Sequence, residues 1–565
     1  MVSRLRWPAA LSTLLVLAAV ARIGFSYGHT AQTFDEPCHI SAGIEFLDKK
    51  TYTLDPVHPP LSRIAIALPL YAAGERYPKL PVSDPDSYNY NVVGNHILYD
   101  SGHFTRNLML ARMGVLPFFV LGALIVYLWA VRIGGERAGL FAVLLYTTTP
   151  TILAFSSIAY TDIVAASTQV AALFAFYLWL EDPTRVRLLW FGLSLGFAFL
   201  AKLTSVLFLP VAGLCMFLVW LLMAAKREEL QLMRRARQGV GALAIAAVIV
   251  WGGYRFSLKP IQEVTGLSPS AMPSFQHFPA FARSTLQRVV IQNPRLPAPE
   301  LLHGVAVAWV LNKSTSASYL FGHIKAGGWW YFYLCALAVK LPLPLLILFG
   351  LSVALLLKEK REAKQYLPLA ALLGVLLITT GVSYQVGIRH ILVGLPLIAI
   401  VAATGLQSWL NHASWRSAAT LLLLALTAWQ IGESAKAQGN FLAYFNELSG
   451  NDPSKILSTG CDLDCGQDLY YLVRELQSRH VSKVTLAVWT SADLDKSGLP
   501  AHDLPTDNRE MPGWIAVSSR AYRCGDFDHR ELPPHSFDWL DRYSPVASVG
   551  RTIKLYYINA SPRQN

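Results

Sequence analysis

Phe34-Asp35-Glu36-Pro37-Cys38-His39 follows, after a short polar step, the apolar run 11–25. Its reading decides the fold, because two adjacent carboxylates at the edge of a hydrophobic slab are costly and mark function by default. The run before it carries Arg4 and Arg6 on its N-terminal side and is long enough for a span of about 20 residues. Ala19-Val20-Ala21 has the pattern of a signal-peptide cleavage site. Apolar character resumes at Ile23-Gly24-Phe25, so a retained span is expected. Either way Asp35 emerges on the non-cytoplasmic side.

The rest of the chain agrees with a membrane setting. Of 565 residues, 53% are hydrophobic and 15% charged, with a mean hydropathy of +0.37. Soluble domains average roughly 25% charged residues. The formal charge of +12 falls beside apolar runs, as the positive-inside rule requires, and needs no nucleic acid partner. Fifteen Trp and 24 Tyr suit an interfacial aromatic belt. Six Cys are too few for a disulfide scaffold. Cys461, Cys465 and Cys524 share the C-terminal region, where one disulfide is open to them in an oxidising compartment.

Length and charge bias give about eleven spans, the later ones near 341–357, 367–382, 391–406 and 418–431. Lys226, Arg227, Arg234, Arg235 and Arg237, and then Lys358, Lys360, Arg361 and Lys364, are expected on the cytoplasmic side. Two long outer loops follow, 28–105 and 255–328. In the first, 40–47 and 61–73 read as helices lying on the membrane surface. Residues 436–565 are polar, with strand-like runs at 484–489, 514–518 and 553–558. Asp468 to Arg479 places Leu469, Leu472, Val473 and Leu476 on one helical face. The fold class expected is an all-α polytopic membrane domain over 1–435 with a small extracytoplasmic α/β domain over 436–565.

This topology puts Asp35, Asp162, Lys202, Lys340 and Arg389 at outer ends of spans. Acids and cations at one interface suit a lipid-borne phosphate and a hydroxyl to be activated. At an effective dielectric of about 20, a cation beside a phosphate gains several kcal/mol, which stabilises it as a leaving group. A carboxylate within reach of the hydroxyl serves as general base. Plainer roles compete. Asp35-Glu36 before Pro37 has the pattern of a helix N-terminus, Asp162 that of a cap, and Lys202 and Lys340 that of snorkelling side chains. Arg389 is the better phosphate ligand, its fork being pre-organised for bidentate contact. Glu36 and His39, spaced i, i+3, offer two metal ligands where three or more are needed, so no metal is expected. His58 before Pro59-Pro60 shapes its loop. Asp462, Asp464 and Asp468 do not have calcium-loop spacing and read as acids at a helix N-terminus.

Thr33-Phe34-Asp35-Glu36-Pro37 with His39, Gly43 and His58-Pro59-Pro60-Leu61 resembles the first outer loop of the C-type membrane glycosyltransferases. Within these it is most similar to the protein O-mannosyltransferases and lipid A aminoarabinose transferases. The similarity continues at Thr161-Asp162, at Lys202 after Gly196, at Gly328-Trp329-Trp330-Tyr331 with Lys340-Leu341-Pro342, and at Gly387-Ile388-Arg389-His390. It spans most of 1–406. Tyr444 to Leu448 and Asp462 to Leu469 resemble the tails of bacterial members, in which Trp often stands at the position of Cys465.

The resemblance implies inverting transfer of a sugar from a polyprenyl-phosphate donor to a protein, lipid or glycan acceptor. The setting it implies is the periplasmic face of a bacterial inner membrane, with no cofactor required. In that scheme Asp35 is the base, Glu36 its neighbour and Asp162 an orienting acid. Lys202, Lys340 and Arg389 with His390 hold the donor phosphate, and His39 and His58 belong to the substrate loop. A transporter or flippase is the alternative. It would place ionisable groups at the midplane of broken helices and show inverted repeats, and no repeat is evident. A non-catalytic protein whose outer domain binds a partner leaves the interfacial charges unexplained.

Overall fold

The structure, a computed structural model, describes residues 7–80, 89–223, 231–265, 280–313, 317–358, 362–412, 416–505, 508–525 and 532–559. Arg4, Arg6, Lys226, Arg227, Lys360 and Arg361 lie outside the described residues. Among those described, six helices are long and apolar enough to cross a membrane: Trp7–Ser26, Phe104–Gly134, Thr161–Glu181, Thr204–Met223, Leu232–Gly253 and Ala418–Lys436. Two bent pairs bring the total to eight. Glu136–Thr148 meets Pro150–Ser156 at 65°, and Phe332–Lys340 meets Leu343–Lys358 at 118°. Pro342 and Pro150 stand at the two breaks, where a missing N–H interrupts the helical ladder.

By this measure the count falls short of eleven. Ala363–Thr379 and Arg185–Ala201 have 17 residues each, about 26 Å of helix against a hydrocarbon core of about 30 Å. The outer helices show their membrane character directly. Thr204–Met223 exposes Leu207, Leu214, Leu218 and Leu222, a stripe that water would not tolerate. Thr161–Glu181, by contrast, is buried on nearly all sides and forms the centre of the bundle.

Part of the first outer loop forms an internal layer. Every residue of Glu36–Ile44 is buried, and this helix packs against Pro60–Ala72 and Tyr90–Tyr99. The approach is close enough that a Cβ at Gly94 would lie 2.2 Å from the Pro37 carbonyl oxygen. The expectation that 40–47 lies on the membrane surface is therefore corrected, because protein, not lipid, covers both faces of Glu36–Ile44, whereas Pro60–Ala72 leaves Leu68 exposed. The second loop holds two short antiparallel pairs, Leu258–Pro260 with Arg295–Pro297 and Ala317–Leu320 with His323–Ala326.

The C-terminal part contains a five-stranded mixed sheet in the order Ala501–Asp503, Lys483–Ala487, Gly513–Ser518, Ile553–Ile558, Ala547–Val549. Alternate residues of one strand feed opposite cores, as the two-residue period demands. Ala516 joins Leu486 and Leu555 on one face, and Ile515 and Val517 join Ala487 and Tyr556 on the other. Helix Leu469–Ser478 buries Leu469, Leu472, Val473 and Leu476 as its pattern requires. The three-residue edge strands 501–503 and 547–549 left no readable pattern. Phe441, Leu442, Tyr444, Leu457, Cys461 and Cys465 pack into the large core of the bundle, so this segment ties the spans to the sheet.

Candidate active site

Asp35 occupies the N-cap position of Glu36–Ile44, yet its side chain makes no capping hydrogen bond. It pairs instead with the Arg389 guanidinium, 354 residues away. Asp35 is 27% and Arg389 15% exposed, so this pair borders open space. Beside it a second pair, Asp162 with Lys202, is more enclosed, at 2% and 12%. Tyr160 links the two. Its hydroxyl accepts the Asp35 N–H at 2.8 Å, its ring lies 5.5 Å from the Arg389 guanidinium, and the Thr161–Glu181 helix bearing Asp162 begins at the next residue. Asp162 is also within electrostatic reach of Arg389.

Burial works to raise the Asp35 carboxyl. Arg389, with His39 and His58, outweighs it and holds the group below the usual carboxylate range. Burial, with Lys202 and Arg389 nearby, pushes His390 well below its ordinary value. The imidazole is therefore neutral, with Nδ1 3.0 Å from the Tyr333 hydroxyl. His390 stands beside the cations as a hydrogen-bonding group rather than as one of them.

Two residues expected in this site have other work. Glu36 is fully buried and accepts from Arg112 Nε and Nη2, both at 2.8 Å, from the Thr33 N–H at 2.8 Å and from the Ala159 N–H at 2.9 Å. Both its oxygens are thus engaged, and no substrate reaches them. Lys340 is 2% exposed. Its Nζ donates to the carbonyls of Leu442, at 2.8 Å, and Asp462, and lies 4.3 Å from the centre of the Phe445 ring. It locks the C-terminal segment to the bundle and faces no open space that a phosphate would occupy. Neither Lys202 nor Lys340 snorkels.

The His pair forms a third group. His39 and His58 meet edge to face at 4.8 Å, and His58 Nδ1 lies 2.8 Å from Asp55. Arg63, fully buried, donates to the backbone carbonyls of Asp55 and His58 and so fixes this turn. The ligating atoms of Cys38, His39 and Asp55 lie within 4.8 Å of one another, the set among the described residues able to hold a metal ion. Glu36, whose spacing from His39 offers a second ligand, is committed to Arg112.

Burial, with His58 beside it, pushes His39 down to about 3 from 6.5. Asp55 is held well below its ordinary value because His58 and Arg63 outweigh burial. In both cases the unfolded chain takes up protons before the folded one does, so stability is lost as pH falls. For His39 the window opens below 6.5 and runs toward 3, at about 1 kcal/mol per pH unit. Unfolding midpoints between pH 7 and 4.5 are expected to fall accordingly, and less steeply in His39→Gln. Equal slopes for the two proteins would assign the acid loss elsewhere.

Residues 104–252 match the model of the family described as dolichyl-phosphate-mannose-protein mannosyltransferase. Over the whole chain, the structure is similar to ArnT from Cupriavidus metallidurans in the apo state. That match has 12% identity, 96% coverage of this chain, 97% of that one and a TM-score of 0.50. The apo oligosaccharyltransferase of Archaeoglobus fulgidus matches at 12% identity, covering 88% of this chain and 64% of that one, with a TM-score of 0.51. ArnT bound to undecaprenyl phosphate matches at 13% identity, 96% and 97% coverage and a TM-score of 0.47. No curated protein matches the sequence. The chain shares its fold with apo ArnT and the archaeal oligosaccharyltransferase.

Several residues of the cluster carried no sequence signal. Arg112 lies inside the Phe104–Met113 helix, and Tyr160 reads as one more aromatic in an apolar stretch. Asp462 proved to be a staple. Its Oδ1 accepts the Ile388 N–H at 2.8 Å, beside Arg389. Gly387 permits this with φ +89°, and a Cβ there would lie 2.3 Å from the Asp462 carboxylate. The acids read as a charged helix start each bind a different segment. Asp464 takes the Arg520 N–H at 3.0 Å, and Asp468 takes those of Arg551 and Thr552 at 2.7 and 2.9 Å.

Proposed function

We propose that this protein is a C-type membrane glycosyltransferase that moves a sugar from a polyprenyl-phosphate donor to an acceptor hydroxyl, with inversion, at the Asp35–Arg389 pair. The observation that carries this reading is that an acid and a guanidinium meet in a pair bordering open space, while Glu36 and Lys340 around them are sealed and satisfied. In the proposed step Asp35 accepts the acceptor hydroxyl's proton as that oxygen bonds to the anomeric carbon. The bond from that carbon to the phosphate oxygen breaks, and the lipid phosphate leaves with the electron pair. Arg389 and Lys202 neutralise the charge that develops on it.

Arg389 has a double part in this scheme. While paired with Asp35 it keeps the carboxylate ionised and weakly basic. A phosphate that draws the guanidinium away restores Asp35's basicity at the moment a base is needed. An apolar crevice of about 260 Å³ supports a lipid-borne donor. It is lined by Phe176, Phe191, Leu195 and Phe199 among others, and Phe199 lies three residues before Lys202, which follows the last residue of helix Arg185–Ala201. A disulfide between Cys461 and Cys465 supports an extracytoplasmic placement of the site, since such bonds persist in oxidising compartments.

The reading is tested by incubating the full chain, in lipid nanodiscs, with a panel of undecaprenyl-phosphate sugars and a bacterial membrane extract as acceptor source. Release of undecaprenyl phosphate from one donor in the panel is the expected result. A protein that consumes none of them and does not bind undecaprenyl phosphate itself would overturn the proposal.

A further inference from the structure

The segment 461–465 touches both halves of the proposed active site. On one side the Phe34 N–H donates to the Cys465 carbonyl at 3.0 Å, and the Ala31 N–H to the Gln467 carbonyl at 2.9 Å. On the other, the Asp462 carboxylate accepts the Ile388 N–H, and its backbone carbonyl accepts from Lys340. Phe34 immediately precedes Asp35, and Ile388 immediately precedes Arg389. Between the two sides stand the sulfurs of the Cys461–Cys465 disulfide, 3.3 and 3.1 Å from the Tyr160 hydroxyl, which itself holds the Asp35 N–H.

The segment that follows strand Lys483–Ala487 adds further contacts to the same strip of backbone. Trp489 stacks on Phe34 at 4.1 Å, and the Ser491 hydroxyl donates to the Phe34 carbonyl at 2.6 Å. Within the turn, the Cys465 N–H donates to Gln467 Oε1 at 2.7 Å, and Gln467 Nε2 donates to the Leu463 carbonyl at 2.7 Å. Cys461 and Cys465 are both buried, and Cys524 stays a thiol that donates to the Ser458 carbonyl.

We infer that the disulfide-closed turn 461–465 is a positioning bracket for Asp35 and Arg389, so that sugar transfer depends on the Cys461–Cys465 bond. The inference rests on the proposed function for its catalytic consequence and on the contacts above for its structural one. Neither cysteine reaches substrate. Closing the turn limits the conformations of five residues whose carbonyl and carboxylate groups set where residues 34–35 and 388–389 lie. Opening it frees Tyr160 from its contact with the bonded sulfurs and lets the two strips drift apart. Displacing a reacting group by about 1 Å costs up to about 100-fold in rate.

The test compares oxidised full-length protein, the same protein treated with dithiothreitol, and the C461S/C465S variant, all in nanodiscs. Reduction moves two electrons and two protons from the dithiol to the S–S bond, giving two Cys thiols and the cyclic disulfide of the reagent. Completion is checked by intact mass. Backbone hydrogen exchange at 31–36 and 386–389 is expected to quicken about tenfold in the reduced protein and in the variant, while the sheet strand 513–518 stays protected. With an undecaprenyl-phosphate sugar that the oxidised enzyme consumes, kcat falls about 10- to 100-fold and donor KM changes less than about twofold, since an intact Arg389 and Lys202 still bind phosphate. Reoxidation restores kcat in the wild type only, and C524S behaves as wild type throughout. Unchanged exchange in the two segments, or full kcat in the reduced protein, overturns the bracket. Were no donor consumed even by oxidised protein, the proposed function would fail, and exchange would still decide whether the turn holds the two strips.

Discussion

Asp35→Asn is expected to abolish sugar transfer while the protein still accumulates in membranes. The substitution is nearly isosteric, and the helix it precedes loses no cap, because the Asp35 carboxylate makes none. What disappears is the proton acceptor and the charge opposite Arg389. Removing a general base costs about 10²- to 10⁴-fold, so turnover of an undecaprenyl-phosphate sugar drops to near background. Measured beside wild type at matched membrane abundance, retention of a tenth or more of wild-type turnover would reject Asp35 as the base. The amide also stops drawing on the guanidinium as an ion, so Arg389 is freer to meet the phosphate. Donor affinity is therefore expected to hold or improve as kcat collapses, a split that simple misfolding would not produce.

The second large effect is on stability. Arg112→Leu leaves the Glu36 carboxylate fully buried with its cationic partner gone. Breaking a buried ion pair in this way costs about 3–5 kcal/mol, a large share of a typical folding free energy. The protein is expected to unfold at markedly lower temperature in detergent, or to be cleared from membranes. Adding Glu36→Gln to Arg112→Leu removes the orphan charge while keeping an acceptor for the Thr33 and Ala159 N–H groups. The double variant should recover part of the loss, and the recovered part measures the charge itself. A single Arg112→Leu variant as stable as wild type would mean that Glu36 is not the buried anchor described above.

These two results separate adjacent carboxylates that look equivalent on paper. In Phe34-Asp35-Glu36-Pro37, the pair of acids, the proline at the helix start and the position after a first span were all legible, because composition and local pattern carry them. Which acid faces outward depends on a guanidinium 76 positions away for Glu36 and another 354 positions away for Asp35. No local pattern encodes either distance. Lys340 shows the same limit. It stands at the end of an apolar helix like Lys202, but packing against Phe445 and the carbonyls of 442 and 462 turned it into an anchor.

Apolar runs, their charged ends and a two-residue alternation were enough to establish a polytopic membrane protein with an α/β segment at its C-terminal end, and to nominate Asp35, Asp162, Lys202, Lys340 and Arg389. Those properties depend on each residue's own solvation and on neighbours within a turn or two. The burial of Glu36–Ile44, the partners of Glu36 and Lys340 and the hold of 461–465 on the residues before Asp35 and Arg389 were settled by contacts between segments tens to hundreds of residues apart. Their energies come from burial and from the satisfaction of buried polar groups, which exist only once the chain has brought the partners together.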